Sequence, residues 1–243
     1  MDEEILEICK NINHIAFIMD GNRRWAVSNG KNRLEGHIYG EKALKEILKL
    51  QEPLNIKNFT FFALSKDNKK KRGEEEYNSL MNLFNKYFDS FNEDLKKRGK
   101  YKFRVNVIGD YKELRKDAVE KLDKIIKDTE NNNEFNINFC INYDGQSEIV
   151  EGVKNLFHKI ALDEFNIEDF NENEFKKFLW TKDIPSPEII VRTGNLPRLS
   201  GFLLWDSHYS EIFFSEKMWP DFNKEDLFYV IKWFSKIKRK FGR

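Results

Sequence analysis

The sequence has little cysteine and no long apolar run. Its 243 residues include two cysteines, Cys9 and Cys140, which have neither the number nor the spacing for a disulfide framework or a zinc site. A membrane-spanning helix needs about 20 consecutive apolar residues, and no such run is present. The residues after Met1 are acidic, whereas a secretory signal begins with basic residues. We therefore predict a protein of the reducing cytoplasm that is not an integral membrane protein.

The sequence also lacks an excess of charge of either sign. With 42 Lys and Arg against 41 Asp and Glu, the formal net charge is +1, so no overall field favours nucleic acid and any anion site must be local. Basic and aromatic residues near the C-terminus would suit a peripheral membrane contact, although a solvated helix end whose cations match the helix dipole is the simpler interpretation. These residues are Trp233, Phe234, Lys236, Lys238, Arg239, Lys240 and Arg243.

Two phosphate-binding signatures are missing. The chain contains neither G-x-x-x-x-G-K-[ST] nor G-x-G-x-x-G, so nucleotide-binding α/β folds lose their main support. An aspartate nucleophile after a first strand would suit a phosphatase, and Asp20 has that position. Asn22, however, stands where a second carboxylate would act as acid and base. A phosphatase is therefore weakly supported.

Apolar residues, by contrast, are plentiful. Hydrophobic residues make up 40% of the chain and include 22 Phe, while 34% of the residues are charged. This composition supplies a sizeable core and a soluble exterior. No linker rich in Pro, Gly or Ser divides the chain, so we predict a single domain over residues 1–243.

Strand-like apolar segments alternate with helical patterns along the chain. The predicted strands cover residues 14–20, 58–64, 101–109, 135–143, 189–192 and 211–214. The predicted helices cover residues 41–51, 75–98, 111–129, 146–163 and 223–240. This alternation predicts an α/β domain whose mostly parallel central sheet has about six strands and is flanked by helices. Two segments, 66–76 and 131–134, are predicted to be mobile from their charge and asparagine content.

Open parallel sheets bind ligands beyond the carboxyl ends of their strands. This rule selects residues 20–25, 65–72, 142–146 and 192–200. The first segment combines the carboxylate of Asp20 with backbone and side-chain donors from Gly21, Asn22, Arg23 and Arg24. Helix-start N–H groups and arginine forks bind phosphoryl oxygens, and a carboxylate holds a bridging Mg²⁺. The segment favours a diphosphate with its metal, and a helix-capping Asp beside two surface arginines is the alternative.

Other segments carry further candidate ligands. His37 and the upstream Arg33 are suited to an outer phosphate, although a lone His in a glycine-flanked turn is usually structural. A lysine-rich loop follows the second strand and, taken alone, is more simply explained as solvated. Its candidate residues are Ser65, Asn68, Lys71 and Arg72.

The last strand ends carry a second group of candidates. Arg198 and Ser200 follow Arg192 by six and eight residues on one loop, and the three side chains are able to surround a second diphosphate. Glu211 opens the final strand, where its carboxylate is either a metal ligand or an ordinary edge-strand charge.

Together these segments resemble the cis-prenyltransferase family, which includes undecaprenyl and dehydrodolichyl diphosphate synthases. The resemblance runs from His14 to Gly242 and consists of several motifs in the same order and at matching separations. The motifs lie at residues 14–26, 36–40, 62–68, 142–149, 192–205, 209–214 and 219–222.

The resemblance implies condensation of isopentenyl diphosphate with an allylic diphosphate, such as farnesyl diphosphate, by a Mg²⁺-dependent homodimer that forms Z double bonds. Asp20 would be the essential carboxylate that assists Mg²⁺ and the departing diphosphate. Ser65 and Asn68 would lie near the proton lost after condensation. Glu211 would be a second Mg²⁺ ligand, reaching across the dimer interface.

The resemblance also assigns substrate contacts. Trp25 would border the allylic chain, and Phe and Leu side chains between sheet and helices would form a hydrophobic tunnel for the product. The allylic phosphates would be held by Gly21, Asn22, Arg23, Arg24, Arg33 and His37. Isopentenyl diphosphate would be held by Arg192, Arg198 and Ser200.

The chain departs from the family pattern at several positions, which leaves substrate preference open. Lys69 occupies a position that is often aromatic, and either Lys71 or Arg72 fills the place of the loop arginine. Further departures lie at residues 144–146 and 194–196, and the C-terminal Arg-x-Gly appears as residues 240–242 with a cation retained. Two alternatives remain: a non-catalytic partner subunit, and an enzyme that joins two allylic units.

Overall fold

The computed structural model describes residues 2–66, 74–97 and 102–238. Within these residues six strands form one sheet, which confirms the predicted fold class. The strands are β1 His14–Ile18, β2 Asn58–Ser65, β3 Phe103–Ile108, β4 Phe135–Tyr143, β5 Ile189–Arg192 and β6 Glu211–Phe214. Their order is β3-β4-β2-β1-β5-β6, and every pair of neighbours is parallel.

Helices cover both faces of the sheet, as crossover connections between parallel strands require. The α-helices are α1 Glu3–Cys9, α2 Asn22–Ser28, α3 Arg33–Leu48, α4 Glu74–Lys97, α5 Lys116–Thr129, α6 Gly145–Ala161, α7 Glu172–Lys176 and α8 Lys224–Ser235. Short 3₁₀ turns lie at Tyr111–Glu113, Ile167–Asp169 and Trp219–Asp221. Among the described residues, no helix is long and apolar enough to cross a membrane.

The central strands are buried on both faces. In β1 all five residues are buried, and alternate side chains enter different cores. Ile15 and Phe17 pack into the larger core, whereas Ala16 and Ile18 pack into a smaller core on the opposite face. This double burial explains why the strand reads as a continuous apolar run.

The third helix starts earlier than its apolar pattern suggests. It begins at Arg33 rather than at residue 41, because Asn32 and Glu35 form a reciprocal capping box at its N-terminus. His37 therefore lies within α3 and not in a turn, so that prediction was wrong. Gly36 and Gly40 lie on the same helix, and a Cβ on either residue would collide with Asn22. The glycines thus allow α2 to pack closely against α3.

The segment 131–134, which was predicted to be mobile, is anchored at one residue. Asn132 is buried, and its side-chain amide donates a 2.7 Å hydrogen bond to the carbonyl oxygen of Phe103. Of the other segment predicted to be mobile, residues 67–73 lie outside the described residues and residues 74–76 begin α4. The connection before β4 is therefore held in place by the side chain of Asn132.

Candidate active site

A cavity of about 1,090 Å³ opens at the carboxyl ends of the strands, with a polar part and an apolar part. The polar wall brings together most of the residues proposed from the sequence as phosphate ligands. It includes Asp20, Gly21, Asn22, Arg23, Arg24, His37, Ser65, Arg192, Arg198 and Ser200. The sheet register places them side by side, because Ile18 at the end of β1 pairs with Arg192 at the end of β5.

Asp20 and Arg192 form the centre of the polar wall. The Nη2 atom of Arg192 donates to Oδ2 of Asp20 at 2.7 Å. The arginine side chain is 3% exposed, whereas the aspartate side chain is 32% exposed. Oδ1 of Asp20 accepts from the backbone N–H of Gly21 at 2.7 Å. The carboxylate is therefore held in a fixed orientation while part of it still faces the cavity.

The same arginine holds the loop that follows β5. Nη1 of Arg192 donates to Oγ of Ser200 at 2.7 Å and to the carbonyl oxygen of Arg198. Its Nε is buried and makes no hydrogen bond within the described residues. One guanidinium thus links the carboxylate of Asp20 to the residues proposed for the second diphosphate.

Arg24 lies on the other side of the carboxylate. Its Nη2 atom is 3.6 Å from Oδ1 of Asp20 and donates to the carbonyl oxygen of Gly194 at 2.8 Å. Gly194 has a φ of 85°, and a Cβ there would lie 2.5 Å from Nη2 of Arg24. Glycine is therefore required both for the left-handed backbone and for the space that Arg24 occupies.

The start of α2 supplies backbone donors to the cavity. Gly21 precedes the helix with a φ of 106°, and a Cβ there would be 2.8 Å from Cβ of Met218. The side-chain amide of Asn22 donates to the carbonyl oxygen of Met19 at 3.2 Å. The first N–H groups of a helix have no partner within the helix and attract anions. The helix start is therefore suited to a phosphate.

Two residues proposed for substrate contact lie outside the cavity wall. Trp25 is buried, donates through Nε1 to Asp221 at 2.7 Å and packs its ring 4.6 Å from that of Tyr39. Arg33 is exposed at the start of α3. The structure thus gives Trp25 a packing contact behind the wall and leaves Arg33 at the surface.

The end of β2 contributes Ser65 and Lys66 to the wall. Sequence reasoning missed Lys66, whose ammonium pairs with Asp110 and lies 5.6 Å from the ring centre of Trp180. Its position directly after a predicted strand was the available signal. The proposed residues Asn68, Lys71 and Arg72 lie outside the described residues, as do residues 240–242.

Glu211 lies at the opposite end of the sheet from Asp20. Glu211 pairs with Ile189 at the amino end of β5. Asp20 lies two residues after Ile18, which pairs with Arg192 at the carboxyl end of β5. Strand residues advance about 3.3 Å each, so Glu211 is remote from Asp20 in the same chain. A shared metal site would need the Glu211 of a second copy.

The polar wall fits a metal that a diphosphate brings with it. The described residues contain no group of three or more His, Cys, Asp or Glu side chains arranged to hold an ion. Magnesium is commonly bound by one or two carboxylates together with substrate phosphates. Asp20 offers a partly exposed carboxylate beside phosphate-binding groups, which agrees with that mode of binding.

The apolar part of the cavity extends between the sheet and helices α3 and α4. Its walls are aliphatic and aromatic side chains that sequence reasoning expected as a class and did not identify individually. They include Leu44, Leu80, Leu83, Phe84, Phe88 and Phe139. Such a surface accommodates a hydrocarbon chain and keeps water away from it.

A buried carboxylate on α6 joins the end of β4 to the segment before β5. Glu148 accepts from the hydroxyl of Tyr143 at 2.5 Å and from the backbone N–H of Thr181 at 2.9 Å. Burial raises the pKa of Glu148, and the hydrogen bonds from Tyr143 and Thr181 oppose that rise. Tyr143 lies only five residues before Glu148, whereas Thr181 is 33 residues away, and no local pattern specifies that second contact.

Known proteins resemble the chain over almost its whole length. The family model described as "Putative undecaprenyl diphosphate synthase" matches residues 18–242. The isoprenyl transferase of Leptospira interrogans is 36% identical over 234 residues, which is 94% of each chain. The tritrans,polycis-undecaprenyl-diphosphate synthase (geranylgeranyl-diphosphate specific) of Pyrococcus abyssi is 40% identical over 230 residues, covering 95% of this chain and 86% of that protein.

Two solved structures share the fold. Lavandulyl diphosphate synthase from Lavandula x intermedia, in complex with dimethylallyl diphosphate, has a TM-score of 0.91 and 29% identity, covering 98% of this chain and 100% of that chain. A probable undecaprenyl diphosphate synthase from Campylobacter jejuni has a TM-score of 0.78 and 28% identity, covering 96% of this chain and 99% of that chain.

Proposed function

The chain belongs to the cis-prenyltransferase family, and we propose that it condenses isopentenyl diphosphate with an allylic diphosphate to give a Z-polyprenyl diphosphate. The observation that carries this proposal is the Asp20–Arg192 pair, which joins two phosphate-binding segments at the mouth of an apolar cavity. The cations suit two diphosphates, and the apolar part suits the growing chain. A nucleotide hydrolase would not need such a cavity.

The allylic diphosphate binds at the start of α2 in this proposal. Backbone N–H groups from Asn22 onward and the guanidinium of Arg24 neutralise the charge that develops as the diphosphate leaves. His37 on α3 lines the same wall. Asp20 would hold Mg²⁺, which adds Lewis-acid stabilisation of the departing diphosphate.

Isopentenyl diphosphate binds beside it, at the loop after β5. Arg198 and the Ser200 hydroxyl face the cavity, and Arg192 holds their segment. The C4 end of this substrate then lies toward the allylic carbon, and the new bond forms as the allylic cation is captured. We assign Ser65, together with Asn68, to the neighbourhood of the proton that is lost.

The primer is proposed to be a preformed allylic diphosphate of intermediate length. Relatives at 36% to 40% identity include a synthase specific for (2E,6E)-farnesyl diphosphate, from Buchnera aphidicola, and the geranylgeranyl-specific Pyrococcus abyssi synthase. The apolar part of the cavity, with Leu83 and Phe84 on α4, has room for such a chain. These observations support a C15 or C20 primer.

We propose a homodimer in which Glu211 of the second copy completes the metal site. Its distance from Asp20 within one chain supports that arrangement. On α6, Val150, Val153 and Phe157 form one exposed apolar face and are 52%, 37% and 66% exposed. A net charge of +1 imposes little repulsion between copies. The α6 face is therefore assigned to the dimer interface.

The long apolar product supports a peripheral membrane contact for a cytoplasmic enzyme. Cys9 and Cys140 are both buried and free, which agrees with a reducing compartment. Trp233 and Lys236 lie near the end of α8, and the basic residues beyond 238 lie outside the described residues. Sedimentation with anionic vesicles during product formation tests this contact.

The function is tested by incubating the purified protein with Mg²⁺, isopentenyl diphosphate and farnesyl or geranylgeranyl diphosphate. We expect Z-polyprenyl diphosphates whose formation stops when a chelator is added. Absence of product from every allylic primer would contradict the proposal. Activity of the isolated protein would also exclude a purely non-catalytic subunit.

A second candidate is the joining of two allylic units. It is favoured by the TM-score of 0.91 with lavandulyl diphosphate synthase, a structure that contains dimethylallyl diphosphate. Supplying dimethylallyl diphosphate alone distinguishes the candidates, because an elongating enzyme makes no product from it. Product under that condition would favour the second candidate.

A further inference from the structure

The loop that presents Arg198 and Ser200 continues as a segment that we call the strap, residues 198–206. Its front is held at the cavity, where Arg192 contacts the carbonyl oxygen of Arg198 and the hydroxyl of Ser200. The backbone N–H of Gly145 also donates to the carbonyl oxygen of Gly201 at 2.7 Å. The front of the strap is therefore joined to the end of β5 and to the start of α6.

The strap has an unfavourable backbone conformation. Ser200 has a φ of 54° and Leu203 has a φ of 45°, both in the left-handed region that side chains normally avoid. Strained residues of this kind persist only where the surrounding structure holds them in place. Phe202 stacks its ring on Phe62 at 4.9 Å, but this apolar contact alone does not fix the direction of the polar front.

A charged contact holds the rear of the strap. Nζ of Lys176, on α7, lies 2.5 Å from Oδ1 of Asp206, and the two side chains are 20% and 3% exposed. Lys176 also donates to the hydroxyl of Thr181 at 2.8 Å, and the hydroxyl of Ser186 donates to Oδ1 of Asp206 at 3.3 Å. These contacts join α7 and the segment before β5 to the last residue of the strap.

The ion pair is poorly explained by stability alone. Buried ion pairs lose solvation, and replacing both partners with apolar residues is often neutral or stabilising. Here Oδ2 of Asp206 is buried without a hydrogen bond from the described residues, so the carboxylate is incompletely compensated. What the pair supplies that an apolar contact does not is a fixed direction and separation.

We propose that Lys176 and Asp206 are positioning residues, which hold the strap so that Arg198 and Ser200 face the diphosphate of the second substrate. The inference rests on the proposed function, because that function assigns isopentenyl diphosphate to this end of the cavity. The two residues act through the strap and do not contact the substrate. They therefore set the affinity for isopentenyl diphosphate more than the rate of allylic ionisation.

The test uses the full-length double variant Lys176→Met/Asp206→Leu, which removes both charges together, so that neither is left buried without its counter-charge. We expect a melting temperature close to that of the wild type, and a KM for isopentenyl diphosphate raised by about tenfold through misplacement of its ligands. The KM for the allylic primer and kcat should change by less than about twofold. The single variant Lys176→Met should be less stable, because it leaves Asp206 buried and unpaired.

Lys177→Met is the matched control, because Lys177 is adjacent and its pair with Glu174 is solvent-exposed. Its kinetic constants should equal those of the wild type. Calorimetric titration with isopentenyl diphosphate gives a readout independent of turnover. If the wild type and a stable double variant bind isopentenyl diphosphate with equal affinity, the positioning role is overturned and the proposed function is unaffected. Wild-type protein that binds isopentenyl diphosphate but makes no product from any primer would instead contradict the proposed function.

Discussion

Asp20 and Arg192 are separated by 172 residues in the chain, yet their side chains meet at 2.7 Å. The contact exists because β1 and β5 are parallel neighbours in register, so that their carboxyl ends coincide. Arg192 is buried by the loop it holds, whereas Asp20 remains partly open to the cavity. The pair therefore couples the carboxylate proposed for the allylic diphosphate to the loop proposed for isopentenyl diphosphate.

Replacing Arg192 with lysine tests this coupling. An ammonium does not reproduce the planar fork that reaches Asp20, Ser200 and the Arg198 carbonyl together. Losing one charge-assisted hydrogen bond costs about 1.5–3 kcal/mol, so kcat/KM for isopentenyl diphosphate should fall roughly tenfold to a hundredfold. Steady-state kinetics measure this, with exposed Arg104→Lys as control. Unchanged kinetics in Arg192→Lys would show that a single cation suffices.

The close approach of α2 and α3 gives a second prediction. Ala at position 36 would place its Cβ against the Asn22 carbonyl, and the crowding should cost about 1–3 kcal/mol of stability. The displaced helix start should also raise the KM for the allylic primer. Gly30→Ala is the control, because a Cβ there meets nothing within 4 Å although φ is 64°. Gly30→Ala should lose stability only because alanine is strained in the left-handed backbone conformation, and its KM for the allylic primer should equal that of the wild type.

The pH dependence of stability should carry a contribution from His14. Its Nδ1 contacts the carbonyl oxygen of Pro185 and its Nε2 contacts the hydroxyl of Thr60, each at 2.7 Å. The carbonyl only accepts, so Nδ1 carries the proton and Nε2 accepts from Thr60. Burial lowers the pKa of His14 to about 4, from 6.5. The folded state thus keeps the neutral ring after the unfolded chain has gained a proton.

Stability should therefore fall as the pH decreases from 6.5 toward 4. Between pH 7.5 and pH 5, protonation of His14 in the unfolded chain should lower the free energy of unfolding by about 2 kcal/mol. Urea unfolding of the wild type and of His14→Asn at both pH values measures this loss of unfolding free energy. The loss should be larger in the wild type than in the variant by that amount. The same loss in both proteins would assign the acid sensitivity to other groups.

Much of the fold could be predicted, because strands buried on both faces give continuous apolar runs. The parallel sheet and the strand ends around Asp20 and Arg192 follow from that pattern. The start of α3 was missed because it is marked by the capping box of Asn32 and Glu35 and not by a periodic pattern of apolar residues. The roles of Lys176 and Asp206 depend on contacts between remote residues, which no local pattern specifies.

The dimer proposal predicts that a charge on the α6 face separates the copies. Phe157→Glu should give a monomer in sedimentation velocity and should raise the Mg²⁺ concentration needed for activity, since Glu211 of the second copy would be lost. Tyr229→Glu is the control, because Tyr229 on α8 is 64% exposed and Phe157 is 66% exposed. A monomeric wild type with full activity would refute the shared metal site.

The central claim is that the carboxylate of Asp20 acts in allylic ionisation, and the rate of a single turnover of Asp20→Asn tests it most directly. The amide keeps the size of the side chain but loses the negative charge that would hold Mg²⁺. We predict that condensation of a bound primer with isopentenyl diphosphate slows by about 10³-fold or more, while the product is the same and the protein stays folded with a lower melting temperature, because Arg192 is left buried without its counter-charge. A stable variant that turns over at a rate within about tenfold of the wild type would contradict the account.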